Sequence, residues 1–387
     1  MNYLLVDLNI QLNGHKLGFV QETLNWLNRY ANNSGHHFHF LVNHELNTPS
    51  SQHVSVHYLE EDLHAKLQET RSLVRYRKQW KYIKVKANQL EVSQLILMEF
   101  DIYQMAIGND SKVNFDINGI WFRPFYRQKV IGSSLLEKLK FGIAKIRKKI
   151  TFKLALRNPN LKQVFILNDA ETVEKLNSNQ TAKLVYLPDP VMDPIVKSVV
   201  DVRKKYGIEK EKNIFLIFGY IDDRKNVPNV LRALNKLPRA YQLKISLLLI
   251  GKVANNYAPI LRDSFLENES EVQIIENNEF VSNDEMNALF QSSSLVLRMN
   301  INYFASSGII GMAAKYNKPS LVSNYGVVAD LTKAYSLGKE EDPLDITALS
   351  NHFIDFIGNP DDWKINGSSY CENHSMSKFV TTLLGLA

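Results

Sequence analysis

The chain has 387 residues, 45% hydrophobic and 22% charged, with a formal net charge of +6, which fits a folded protein of two ordinary domains. A single cysteine, Cys371, excludes an internal disulfide and suits a reducing compartment. No apolar stretch reaches the length of a membrane span, and the opening MNYLLVDLNIQL lacks the basic region and small-residue cleavage site of a signal peptide.

In chain order, residues 3–8 read as a first strand, followed by a loop carrying Asn13, Gly14, His15 and Lys16. A helix is expected over 18–33, with Phe19, Leu24, Leu27 and Tyr30 on one face, then a strand over 38–42. His37 and His39 share a strand face, but no third ligand is evident, so no metal is expected. Residues 71–86 hold seven Lys/Arg and no acid, with Leu73, Tyr76, Trp80 and Ile83 at helical spacing. A strand at 96–98 leads to Glu99 and Asp101, and one at 119–122 leads to Arg123. Each of these could meet an acceptor at a strand's carboxyl end, and Asp101 is equally a helix cap. Residues 135–157 hold eight Lys/Arg and one Glu, with Leu135, Leu139, Ile143, Ile146, Ile150 and Leu154 forming a stripe. Basic amphipathic helices of this kind bind anionic membrane surfaces. The alternative is that both stripes pack on the domain and the charges only solubilise it. Strands at 164–167 and 184–187 complete an alternation that implies a parallel sheet covered on both faces.

Leu187-Pro188-Asp189-Pro190 breaks the pattern. The expected domains are therefore 1–190 and 191–365, with 366–387 a C-terminal helix that crosses back to the first domain. Strands at 213–218, 243–250, 272–275, 295–297 and 320–322 alternate with helices in the second domain. In Phe218-Gly219-Tyr220-Ile221-Asp222-Asp223-Arg224-Lys225-Asn226 a strand ends in glycine and two cations precede a helix. Two cations at a strand's carboxyl end suit a phosphate; a solvated, capped turn with Lys225 on the loop surface is the plainer alternative. Ser306-Ser307-Gly308 opens a helix directly after a strand and loop. Its free amides, positive dipole end and bare glycine suit an anion; simple N-capping is again the alternative.

The order of these pieces resembles the GT-B glycosyltransferases, most closely retaining family 4, also called group 1. The resemblance lies in FGYIDDRKNVPNVLRAL, LLLIGK, NEFVSNDEMNALFQSSSLVLRMN and SSGIIGMAAKYNKPSLVSNYGVVADL. It implies an α/β fold of two doubly wound Rossmann-like domains facing across a cleft. The first would bind the acceptor, through Gly14, His15, Lys16, Glu99, Asp101 and Arg123. The second would bind the donor, with Gly219 and Lys225 at the diphosphate, Arg224 assisting, and Phe280 and Val281 lining the nucleobase. Ser306, Ser307 and Gly308 would face the donor phosphates, and His15 would orient the acceptor or the pyrophosphate. The family's paired glutamates, eight positions apart, would fall near Tyr303 and Gly311, and neither position is acidic here.

The resemblance implies a hexosyltransferase-type enzyme moving a sugar from a nucleotide-sugar to a saccharide or lipid-linked acceptor, as in polysaccharide or glycolipid assembly. The transfer would proceed with retention, with no metal and no cofactor beyond the nucleotide-sugar substrate. The protein would be cytoplasmic, peripheral at the inner membrane face through residues 71–86 and 135–157, and would bind no nucleic acid, since no recognition motif is present. A rival is a non-catalytic GT-B protein, motivated by the missing glutamates. A nicotinamide oxidoreductase is discounted, because the first strand and helix lack Gly-x-Gly-x-x-Gly and Val42-Asn43-His44 offers no acid.

Overall fold

Alternation of apolar residues builds each sheet with two covered faces. In β1 (Asn2–Asp7), Leu4 and Val6 join one core while Tyr3 and Leu5 join the other. β8 (Asn213–Phe218) does the same with Phe215 and Ile217 against Ile214 and Leu216. The computed structural model describes residues 1–10, 15–31, 34–43, 46, 52–130, 135–178, 183–193 and 196–386, without the side chains of residues 15, 16, 62, 68 and 137.

The chain divides into one unit of Met1–Pro188 with Met376–Ala387 and a second of Asp189–Ser375. The first unit holds β1, β2 (His37–Val42), β3 (Val54–Tyr58), β4 (Gln94–Leu97), β5 (Asp116–Ile120), β6 (Leu161–Leu167) and β7 (Leu184–Leu187), in the parallel order β3-β2-β1-β4-β5-β6-β7. The second holds β8, β9 (Ile245–Ile250), β10 (Gln273–Asn277), β11 (Leu295–Arg298), β12 (Ser320–Ser323) and β13 (Gly338–Glu341), in the parallel order β10-β9-β8-β11-β12-β13. Chain order reverses between β1 and β4 in one sheet and between β8 and β11 in the other. Such switch points open a crevice at the strands' carboxyl ends, where ligands bind in doubly wound sheets.

The edge strands β3 and β13 are additional to the strands expected from sequence. The first helix runs His15–Ala31, so His15 and Lys16 belong to its first turn and not to a loop. Its early start follows from Leu17, Phe19 and Val20, which pack on the sheet's second core. The tail makes two short helices: Ser368–Asn373 stays with the second unit, and Met376–Leu384 lays Phe379, Val380 and Leu383 against the first helix's Phe19 and Leu24.

The two basic segments differ in burial. In the helix Ser72–Gln89, Trp80 and Ile83 are buried in the first core, so most of that stripe packs inward. In the helix Leu135–Leu156, Phe152 and Ala155 face the core instead. Leu135, Leu139, Ile143, Ile146 and Ile150 stand 61–86% exposed. Among the described residues no helix is long and apolar enough to cross a membrane.

Candidate active site

β8 ends at Phe218, and Gly219 follows with φ +96°, a left-handed backbone that glycine adopts without strain. The turn after it is held by its own side chains. Asp222 caps the short turn Asp223–Lys225 and accepts from Arg224 Nε at 2.9 Å and Nη2 at 2.6 Å. Asn226, at φ 58°, donates from Nδ2 to the Pro343 carbonyl at 2.6 Å and starts the helix Val227–Asn235. This folding turns Lys225 inward. It is 8% exposed, its Nζ donates to the Phe218 carbonyl, and burial pushes its pKa well below the usual lysine range, with Arg298 adding to the effect. The expectation of a surface lysine is thus corrected: the turn is pinned at both ends, and the side chain has only the interior to enter.

β11 delivers a second cation. Leu295, Leu297 and Met299 join one core and Val296 the other, so alternation sets Arg298 on the Val296 face, which Met312 and Ala313 of the helix Gly308–Lys315 cover. Arg298 is 6% exposed, with Nε donating to Ser307 Oγ at 3.1 Å and the guanidinium 4.7 Å from the centre of the Tyr303 ring. Its Nη1 has no hydrogen-bond partner among the described residues. Burial pulls its pKa down to about 10. Arg224 reaches the same ring at 5.6 Å, and its carbonyl accepts from the Ile301 amide at 2.9 Å. Tyr303 is fixed in turn by its hydroxyl, which donates to the Ser306 carbonyl at 2.9 Å.

Ser307 is the N-cap of the helix Gly308–Lys315 but makes no side-chain cap bond. A Cβ on Gly219 would lie 3.6 Å from Lys225 Nζ and 3.8 Å from Ile309 Cδ1, which places the β8 end, the lysine and the helix's first turn together. The Ser306 hydroxyl donates to Asp189 at 2.8 Å. Val281 packs in the apolar cluster that includes Phe218 and Ile309, while Phe280 presents an exposed ring. Gly219, Arg224, Lys225, Ser307 and Gly308 are therefore brought to one place. Arg298 and Tyr303 join them there without having been assigned a role from sequence.

In the first unit, Glu99 is the N-cap residue of the helix Phe100–Gly108, without a side-chain cap bond. Asp101 accepts from the amides of Phe122 at 2.9 Å and Arg123 at 3.0 Å, which ties the loop after β5 to this helix start. Burial, opposed by those amides and aided by Glu99, raises its carboxyl to about 6. That geometry is a structural clamp. Arg123 is exposed. His15 and Lys16 begin the first helix, their side chains lying outside the described residues, as does Gly14 entirely. Among the described residues no group of three or more His, Cys, Asp or Glu could hold a metal ion.

The two doubly wound parallel sheets have the GT-B fold, and the cations gather at the switch point of the second. Residues 200–369 match the family model for glycosyl transferases group 1. The whole chain is similar to solved structures at low identity. Sucrose-phosphate synthase from Thermosynechococcus elongatus superposes with TM-score 0.71 at 15% identity, covering 100% of this chain and 98% of that one. HepE from Anabaena, in complex with UDP and glucose, gives 0.70 at 12%, covering 100% and 98%. WaaG, a glycosyltransferase of lipopolysaccharide biosynthesis, gives 0.66 at 14%, covering 100% of both chains. At these identities the likeness establishes the fold. No curated protein sequence matches the chain.

Proposed function

We propose that this protein transfers a glycosyl group from a nucleoside diphosphate sugar to a saccharide or lipid-linked acceptor, with retention and without a metal ion. The observation that carries the reading is Lys225, a buried cation with no carboxylate bonded to it among the described residues, held between the β8 end and the first turn of the helix Gly308–Lys315. When the bond from the anomeric carbon to the diphosphate oxygen breaks, its electron pair stays on that oxygen. Lys225 and the helix amides stabilise the charge as it develops. The acceptor hydroxyl oxygen forms the new bond on the same face, and its proton passes to the leaving phosphate oxygen. UDP bound in HepE supports a uridine nucleotide as the first donor to try.

The test is a melting-temperature panel of nucleotides and nucleotide-sugars, followed by turnover of whichever donor stabilises the protein. Binding with turnover, even by hydrolysis, supports the enzyme. Binding without turnover under any acceptor favours a non-catalytic sugar-nucleotide protein instead.

We further infer that the protein works at the inner membrane face as a peripheral protein. The helix Leu135–Leu156 supports this. Its outward stripe of Leu135, Leu139, Ile143, Ile146 and Ile150 is apolar, and on a helical wheel Lys138 and Lys149 flank one side of it while Lys140 and Arg147 flank the other. A second copy of the chain would set like charges against each other, whereas an anionic lipid surface complements both stripe and shoulders.

A further inference from the structure

We propose that Arg298 is a second phosphate-binding cation and that, with Lys225, it forms a well for the paired negative charge of a diphosphate. The proposal rests on the donor reading above for what carries the diphosphate, but the well itself is argued from charge.

Two buried cations lie here with no carboxylate bonded to either among the described residues, Asp222 acting on both only at a distance. Asp222 is engaged by Arg224, and Asp189 accepts from the Ser306 hydroxyl; neither is bonded to Lys225 or Arg298. Both cations sit at the N-terminal end of the helix Gly308–Lys315, where the peptide dipoles already present positive charge. Cations favour the opposite end of a helix, so this arrangement opposes itself until an anion enters. Arg298 is also oriented as if for a ligand. Tyr303 covers one face of the guanidinium, Ser307 Oγ fixes Nε, and Nη1 remains a donor with nothing among the described residues to accept from it. A structural arginine of the same burial would spend its donors on carbonyls or carboxylates, because an unpaired buried donor is costly. A single phosphate meets one of the two cations, while a diphosphate spans both and gains a further charge as the glycosyl bond breaks.

The test uses calorimetry with inorganic pyrophosphate and orthophosphate on the whole chain, its Arg298→Met and Arg298→Lys variants, and melting temperatures without ligand. The expected result is that wild type prefers pyrophosphate and that Arg298→Met weakens pyrophosphate roughly ten- to a hundredfold, the range for one charged hydrogen-bonding group. Arg298→Lys should retain part of the affinity. Ligand-free Arg298→Met should melt at or above the wild-type temperature, since an apolar side chain replaces an uncompensated buried charge. Unchanged pyrophosphate affinity in Arg298→Met would overturn the proposal. So would a lowered melting temperature that Arg298→Lys restores with no change in binding, because that is a purely structural arginine. Arg298-dependent pyrophosphate binding in a protein that accepts no nucleotide-sugar would support the well and sink the glycosyl-donor reading.

Discussion

Ser307 gives its hydroxyl oxygen to Arg298 Nε at 3.1 Å and leaves the helix Gly308–Lys315 without a side-chain cap. An N-cap serine ordinarily accepts from an amide two or three residues on. Here the serine serves the guanidinium, and the first amides of the helix are not taken up by it.

Ser307→Ala should therefore destabilise the protein through Arg298 and not through lost capping. Leaving a buried charged donor unsatisfied costs about 1–3 kcal/mol. In an Arg298→Met background that partner is gone, and Ser307→Ala should then cost close to nothing. Denaturant unfolding of the wild type, both single variants and the double variant measures this coupling. Equal costs in the two backgrounds would show that Ser307 acts as a plain cap.

Lys225→Met should lower donor turnover roughly a hundredfold or more, as loss of one charge-stabilising donor does. Because the lysine is buried without an acid, its replacement should leave stability unchanged or raised. The pH dependence has a definite sign. Lys225 has a folded pKa well below its unfolded value, so the unfolded chain binds the extra proton. Its contribution to stability thus rises with pH between the depressed value and the ordinary lysine range. Anion binding favours the protonated form, so pyrophosphate should take up a proton at alkaline pH. Buffers of different ionisation heat will reveal that uptake, and Lys225→Met should abolish it.

Asp101 tests the first unit. Its folded carboxyl is raised to about 6, so the protonated form is favoured in the fold. The stability it contributes is present below the ordinary aspartate pKa and is lost as pH rises from about 4 to about 6. Asp101→Asn keeps an acceptor for one of the two amides and cannot ionise, so that slope, about 3 kcal/mol across the window, should disappear. Unfolding free energies measured in half-unit pH steps decide it. A variant with the wild-type slope would mean that another group titrates there.

The sheets' interiors are legible in the sequence because buried parallel strands are near-continuous apolar runs, as in residues 243–250. The edges are not. β3 reads VSVHY and is half covered, and β13 reads GKEE with no buried face to mark it. Within the site, Gly219, Lys225 and Ser307 are legible because each follows a strand that ends in a recognisable way. Arg298 is not, because it hides inside the apolar run LVLRM. The available signal was alternation: an arginine in phase with Val296 must point into a covered face, and a charge there needs a partner. Burial of Trp80 against exposure of Ile143 was equally beyond reach, since both belong to basic stripes of the same period, and only packing separates them.

That separation sets the membrane prediction. The whole protein should sediment with vesicles containing anionic lipid and be released by high salt, each cation near such a surface contributing about 1 kcal/mol. Replacing Leu139, Ile143 and Ile146 together by serine should abolish most of this binding without lowering the melting temperature, because all three side chains already stand in solvent. Trp80→Ser should do the reverse. It removes a buried ring that also donates to Asp110 at 3.1 Å, so about 3–5 kcal/mol of stability should go while any remaining folded protein still binds vesicles. Vesicle sedimentation and thermal unfolding of the same preparations separate the two helices. Equal binding to neutral and anionic vesicles, or wild-type binding by the triple serine variant, would remove the helix Leu135–Leu156 from any role at a membrane.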